Sequence, residues 1–353
     1  MKKVLLTSTA LVLLAGTASA DIALSGSAEM GVRGGQLDAT NADGAEFDET
    51  IPLQFHTDID VTFTLSGETD GGLAFGAAID LDESGDGSPA VDNDFDDGGV
   101  AIFISGDFGT LTLGDTDGAL DFVTQDMGIA NPGSIDDSET EHFGYLGAWL
   151  DGSGDGQIAR YDISIDAFTF AVSVEQMPTG EGGLVLEDDD DLTWAVGFGY
   201  DFDFAGGSAG VSIGYQYSDN GSIDVGDSVD GEDINLVFNA GEVAATAVGA
   251  SVSLDNGLSA AFTYTNFDFD EGEDADHFGI GVGYEFDAFS IHANYGTWES
   301  DVGDLSGFGL AGAYDLGGGA SLHLAYGSSS SDLDDSEEEF DVDTYSFGVA
   351  FSF

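Results

Sequence analysis

One stretch constrains the fold more than any other. Residues 51–66, IPLQFHTDIDVTFTLS, alternate apolar and polar with a single interruption at Thr57. Ile51, Leu53, Phe55, Ile59, Val61, Phe63 and Leu65 share one face of an extended chain. Gln54, His56, Asp58, Asp60, Thr62 and Thr64 share the other. Period two over such a length is a strand, and one far longer than the ~5–6 residues usual in globular sheets.

The pattern recurs along the chain while helical periodicity is hard to find. Sixteen segments carry it: 22–33, 51–66, 71–81, 99–106, 109–114, 157–164, 168–176, 192–202, 208–218, 243–254, 258–267, 277–286, 288–298, 305–315, 320–328 and 342–353. Short connections (GETD, GDFG, IDA, DFAGG, DNG, LGGG and a tight joint at Asp287) alternate with long ones. The short ones are rich in the Gly, Asp and Asn that tight turns use. Pro89, Pro132 and Pro178 fall in loops and Pro52 begins a strand, so no proline removes a ladder donor mid-sheet. INLVFN (234–239) reads as a further strand, extending the one after it or adding a hairpin, which makes the count sixteen or up to two more.

Before the first strand, Lys2 and Lys3, the apolar run VLLTSTALVLL and Ala18-Ser19-Ala20 have the layout of a cleaved secretory signal over 1–20, leaving 21–353 as one domain. The chain has no cysteine, so no disulfide framework supports it. Beyond the signal, Arg33 and Arg160 face 69 acidic residues. Nucleic acid is excluded as a partner, because its binding needs Lys and Arg to neutralise phosphates. Disorder is excluded too, since 42% hydrophobic and 11% aromatic residues are too many for it. The acid is localised: 51 of the 69 carboxylates fall in the eight long loops and 7 in the short turns.

Sixteen long strands with this loop asymmetry describe an up-and-down antiparallel β-barrel. A barrel that wide encloses more space than side chains fill, so its interior holds water. The polar faces then point inward and the apolar faces outward to lipid. No remaining stretch is long and apolar enough for a membrane helix, but a barrel strand needs only ~9–11 residues. Tyr200, Phe202, Tyr215, Tyr217, Tyr284 and Phe286, near strand ends, suit interfacial girdles. The last segment fits as well: Tyr345, Phe347, Val349, Phe351 and Phe353 form an apolar stripe to the final residue. By strand parity Arg33, His56, Asp58, Asp60, Asp80, Arg160 and Asp162 point into the lumen.

With DIALSGSAEMGV at the start, GDFGTLTLGDTDGALD (106–121), ARYDIS (159–164) and FGVAFSF at the end, the whole mature chain resembles the general porins of Gram-negative bacteria, most closely those of purple non-sulphur and related alphaproteobacteria. The resemblance implies a homotrimer of sixteen-stranded barrels in the outer membrane, among lipid and lipopolysaccharide, each a pore for small hydrophilic solutes. It implies that the terminal Phe353 is read by the barrel-assembly machinery. It also implies a third loop, here 115–155, folded inward to narrow the channel. In such porins loop acids face a basic cluster on the wall. Asp117, Asp121, Asp126, Asp136, Asp137, Glu139 and Glu141 could supply the acidic half; two arginines do not make the basic half. The expectation is a pore of negative potential that prefers cations, although acidity that merely keeps loops solvated in saline water is an equal reading.

No cofactor is required. Adjacent carboxylates suit structural Ca²⁺, but DNDFDDG fails the EF-hand pattern, with Asp97 where glycine belongs and Phe103 where the bidentate glutamate belongs. GVSIG (210–214) and GFGLAG (307–312) match a hydrolase and a nucleotide motif, but both lie in alternating strands with no helix after them. The histidines at 56, 142, 277, 292 and 323 lack ligand spacing and read as wall or rim residues. Nothing supports an enzyme. Two alternatives stand beside the diffusion pore: a secreted acidic Ca²⁺-binding β-sandwich or adhesin, and a substrate-specific channel of the same fold.

Overall fold

The computed structural model describes residues 21–40, 46–82, 99–152, 157–176, 192–219, 222–229, 232–239, 241–270, 273–301, 303–333 and 339–353. The expected signal segment, Pro89, Pro178 and DNDFDDG lie outside the described residues.

The wall begins with β1 (Asp21–Thr40), β2 (Glu46–Glu68), β3 (Ala74–Asp82), β4 (Val100–Gly106) and β5 (Gly109–Gly114). After the third loop come β6 (Ile158–Ile165), β7 (Phe168–Gln176), β8 (Leu192–Phe204) and β9 (Gly207–Ser218). A hairpin of β10 (Ser222–Val229) and β11 (Glu232–Asn239) pairs only with itself. The wall resumes with β12 (Val243–Leu254), β13 (Leu258–Phe269), β14 (Ala275–Phe286) and β15 (Phe289–Ser300). It ends with β16 (Gly303–Gly317), β17 (Ala320–Leu333) and β18 (Glu339–Ser352).

Each wall strand pairs with the next, and β18 pairs antiparallel with β1, so sixteen strands close one barrel. The seam runs from Ser27 opposite Ser352 to Thr40 opposite Glu339, and the Phe353 N–H donates to the Gly26 carbonyl at 2.9 Å. INLVFN is therefore half of a loop hairpin and adds nothing to the wall. One expected long connection is short: β15 and β16 run on until only residues 301 and 302 separate them. At the other end, Asp166 and Asp287 hold left-handed φ of 54° and 52° in two-residue turns, a conformation aspartate tolerates better than most side chains. The next strand along covers each turn, with Asp201 N–H of β8 donating to Ala167 O at 2.9 Å and Asp315 N–H of β16 to Ala288 O at 2.8 Å.

The apolar stripes face outward. On β14 Phe278, Ile280, Val282, Tyr284 and Phe286 are exposed, while His277 and the glycines between them are buried. Tyr345 and Phe347 on β18 are exposed and Ser346 between them is buried. Around the turn end a band of contacting rings forms: Phe168 with Tyr200, Tyr200 with Phe202, Tyr284 with Phe286, Phe286 with Phe289, and Phe289 with Tyr314. Trp194 with Tyr215 and Tyr217 stands nearer the loop end. Aromatic girdles at two interfaces are the signature of a membrane-spanning barrel.

The inward face is less uniformly polar than the alternation predicts. Ala171, Ala195, Ala245, Ala247, Phe267, Trp298 and Leu305 point inward and join one buried cluster with Leu120, Phe143, Leu146, Trp149 and Leu150 of the third loop. The reason is the loop itself. Its apolar side chains lie inside the barrel and need apolar partners, so the wall beneath them gives up its polar lining.

Candidate pore constriction

The third loop leaves β5 at Asp115, whose N–H donates to Val100 O at 3.0 Å. Its neck is tied to the wall at once. Arg160 donates from Nη1 to the Asp117 carbonyl at 2.7 Å and from Nε to Asp162 at 3.4 Å, with its guanidinium 3.9 Å from the centre of the Phe122 ring. Among the described residues the loop has one helical turn, α1 (Ala119–Val123), which is tied to the return limb: Gly118 N–H donates to Asp151 Oδ2 at 2.6 Å.

From there the loop runs round the interior. Going out, it reaches the neighbourhood of β14 at Met127 and β17 at Gly133, whose carbonyl lies 3.0 Å from His323 Nδ1. The tip spans Ser134–Asp137: Ile135 N–H donates to Ser346 at 3.4 Å, Arg33 donates to Asp136, and His56 lies 3.6 Å from the same carboxylate. A bulge in the β1–β2 register between Arg33 and Gly35 sits beside this clamp, as bulges that re-aim a side chain do.

The return limb is pinned strand by strand. Asn294 donates to Thr140 O at 2.7 Å, Phe143 N–H to Ser329 at 3.1 Å, and Trp149 Nε1 to Thr265 at 2.8 Å. His277 Nε2 lies 2.9 Å from Gly144 O, and Leu150 N–H donates to Gln216 at 3.1 Å. A typical bond of this kind contributes about 1 kcal/mol, and leaving one of these buried groups unmet would cost more. The loop thus lines the wall from β6 round to β1, and the arc of β2–β4 faces it across the lumen.

The structure sorts the candidate acids. Asp121, Asp126 and Glu139 are turned into the loop–wall seam and are at most 5% exposed. Asp126 accepts from Tyr145 OH at 3.0 Å and from Gly128 N–H at 2.8 Å, so it braces the loop internally. Asp136 is clamped to Arg33. Asp117 and Asp137 are half-buried, and Glu141 is exposed. On the wall, Glu29 stands opposite Asp58, Ser27 opposite Asp60, and Thr62 opposite Asp80. Ser27 donates to Asp60 at 2.6 Å and Thr62 to Asp80 at 2.9 Å. Both arginines are thus bound where the loop begins and where it turns. Parity placed them in the lumen, but their clamping of the loop leaves no trace in the sequence. The histidines are also more specific than wall or rim residues: His56, His142, His277 and His323 all belong to the loop or touch it.

Two loop groups make its docking depend on pH. Burial, with the charge of Asp136 beside it, pushes the Glu139 carboxyl up to about 7. Burial pushes His142 down to about 3, and its Nδ1 accepts the Gly144 N–H at 3.1 Å. The docked loop therefore prefers Glu139 protonated and His142 neutral. Docking weakens as pH rises from 4.5 through 7, when Glu139 must ionise in place, and also as pH falls from 6.5 towards 3. Glu139→Gln should raise the melting temperature at pH 8 and change it far less at pH 5. The full shift is of order 3 kcal/mol at 1.36 kcal/mol per unit. Equal effects at both pH values would contradict this reading.

Among the described residues no three His, Asp or Glu side chains are placed to hold a metal ion. Ser212 lies within β9 and GFGLAG within β16, and the next described element after each is a strand.

A closed sixteen-stranded barrel, apolar outside and narrowed by its own inward loop, defines an outer-membrane channel. The chain belongs to the Gram-negative porin family, whose profile matches residues 7–334. It is 31% identical over 301 residues to a porin of Rhodobacter capsulatus, across 83% of this chain and 91% of that one. A porin structure refined at 1.8 Å superposes with a TM-score of 0.62 at 22% identity, covering 94% of this chain and 100% of the other. A triple mutant of the Rhodopseudomonas blastica porin gives a TM-score of 0.61 at 16% identity with the same coverage. Members of this family are channels rather than enzymes.

Proposed function

We propose that the protein is a passive diffusion pore for small hydrophilic solutes that favours cations over anions. The observation carrying this is the placement of charge: both arginines are consumed in holding the loop, while Asp60 and Asp80 line the facing arc, with Glu29 of β1 and the mostly buried Asp58 beside them. Rings of carboxylates admit cations and repel anions, and low-dielectric walls focus that field.

The working form in this reading is a homotrimer surrounded by outer-membrane lipid and lipopolysaccharide. The exposed Phe353 at the end of the closing strand is the mark presented to the assembly machinery. The carboxylate runs of the outer loops suit structural Ca²⁺, with no cofactor taking part in conduction.

Zero-current potential across a planar bilayer under a KCl gradient tests the selectivity. Fixed-charge selectivity requires a cation-to-anion permeability ratio well above one in dilute salt. It should decline as the Debye length shrinks from ~10 Å at 0.1 M to ~3 Å at 1 M. A ratio near one in dilute salt would remove cation preference from the account.

A further inference from the structure

The wall beneath the third loop is unusually poor in side chains. On β14, β15 and β16, Gly279, Gly296 and Gly307 stand side by side in register. One register further along, Gly281, Asn294, Gly309 and Gly327 form a second row across β14–β17. None of these glycines has a left-handed φ, so no turn or bulge calls for them. Glycine in a strand interior is otherwise a weakness, since it gives up packing and costs entropy.

Space explains them. A Cβ on Gly281 would run into the carbonyl of Met127, one on Gly296 into the carbonyl of Gly144, and one on either Gly309 or Gly327 into the carbonyl of Glu139. All three carbonyls belong to the loop backbone, which cannot rotate away as a flexible side chain could. Both limbs of the loop are involved, Met127 going out and Glu139 to Gly144 coming back. Between the glycines, Asn294 supplies the row's polar hold on Thr140. The loop backbone lies in a trough left by absent side chains.

We propose that Gly281, Gly296, Gly309 and Gly327 are the positioning residues that set how far the third loop projects into the lumen, and with it the pore's conductance and size limit. An added methyl at any of them leaves the loop backbone one way to move, off the wall and towards the pore axis. In a close-packed seam that retreat is roughly 1 Å or more. Gly199 on β8 is the internal control. It also faces inward under the loop, but a Cβ there would meet its nearest neighbour, the Thr169 side chain, at 3.7 Å, an ordinary contact.

The proposal rests on the diffusion-pore reading, and the two fail separately: wild-type conductance tests the pore, and the ratio of variant to wild type tests the trough. Single-channel conductance and liposome swelling with neutral sugars of increasing size should be measured for G281A, G309A and G199A. The first two should lose roughly 1.5-fold in conductance and exclude smaller sugars than wild type, as a lining moved inward requires. G199A should match wild type. Gly144→Ala places the methyl on the loop instead, against the Gly296 carbonyl, and should give the same loss without altering a strand. It decides the matter if the strand variants fail to assemble. Unchanged conductance in assembled G281A and G309A, or in G144A, would overturn the proposal, as would an equal loss in G199A.

Discussion

Changing Asp58, Asp60 and Asp80 together to asparagine will remove most of the cation preference in dilute salt. Asparagine keeps the size of each side chain and can still accept from Ser27 and Thr62, so the wall should hold its shape. What is lost is charge. A cation passing about 4 Å from one carboxylate gains about 1 kcal/mol even at the dielectric of bulk water, or roughly fivefold in local occupancy. Losing three such groups from one arc should lower the permeability ratio several-fold at low salt and hardly at all at 1 M, where screening has already removed the effect. An unchanged ratio at low salt would assign the chain's acidity to solvation of its loops rather than to the pore.

Ile280→Lys should prevent assembly. Ile280 is exposed on the outward face of β14, between Phe262 on β13 and Tyr295 on β15. If that face meets hydrocarbon, a lysine near mid-depth costs about 2–4 kcal/mol, a large part of the margin of a typical fold. The matched control is Ser251→Lys on β12, which faces inward into a polar hollow lined by Asp201, Asp203 and Ser208. That lysine gains carboxylates instead of losing water. The first variant should be missing from the folded band on an unboiled gel and the second present. Were both to fold equally well, the outward face would not be in lipid.

The barrel was legible because its signal is local and repeated. Each strand declares itself by alternation, and each turn by residues such as Asp166 and Asp287. The outward face of β18 followed from the alternating stripe that runs to Phe353. The route of the third loop was not legible, since it depends on contacts between positions a hundred or more residues apart, such as Arg33 with Asp136 or Phe143 with Ser329. Some signal was present. Thr263, Thr265 and Phe267 share the inward face of β13, and an aromatic at the end of a polar stripe marks where something apolar must cover the wall. The glycine rows carried none, because a glycine in a strand looks the same whether it is tolerated or needed. The acids show the same limit: the family resemblance nominated seven loop carboxylates, and only packing separates Glu139, buried just past the tip, from the exposed Glu141.

The central claim is that greasy side chains look out to hydrocarbon around an enclosed column of water. Recording single channels from purified residues 21–353 added to a planar lipid bilayer tests it most directly. Discrete, long-lived conductance steps that grow with salt concentration are the predicted result. A protein that stays monomeric and soluble without detergent, and leaves the bilayer as resistive as before, would contradict it.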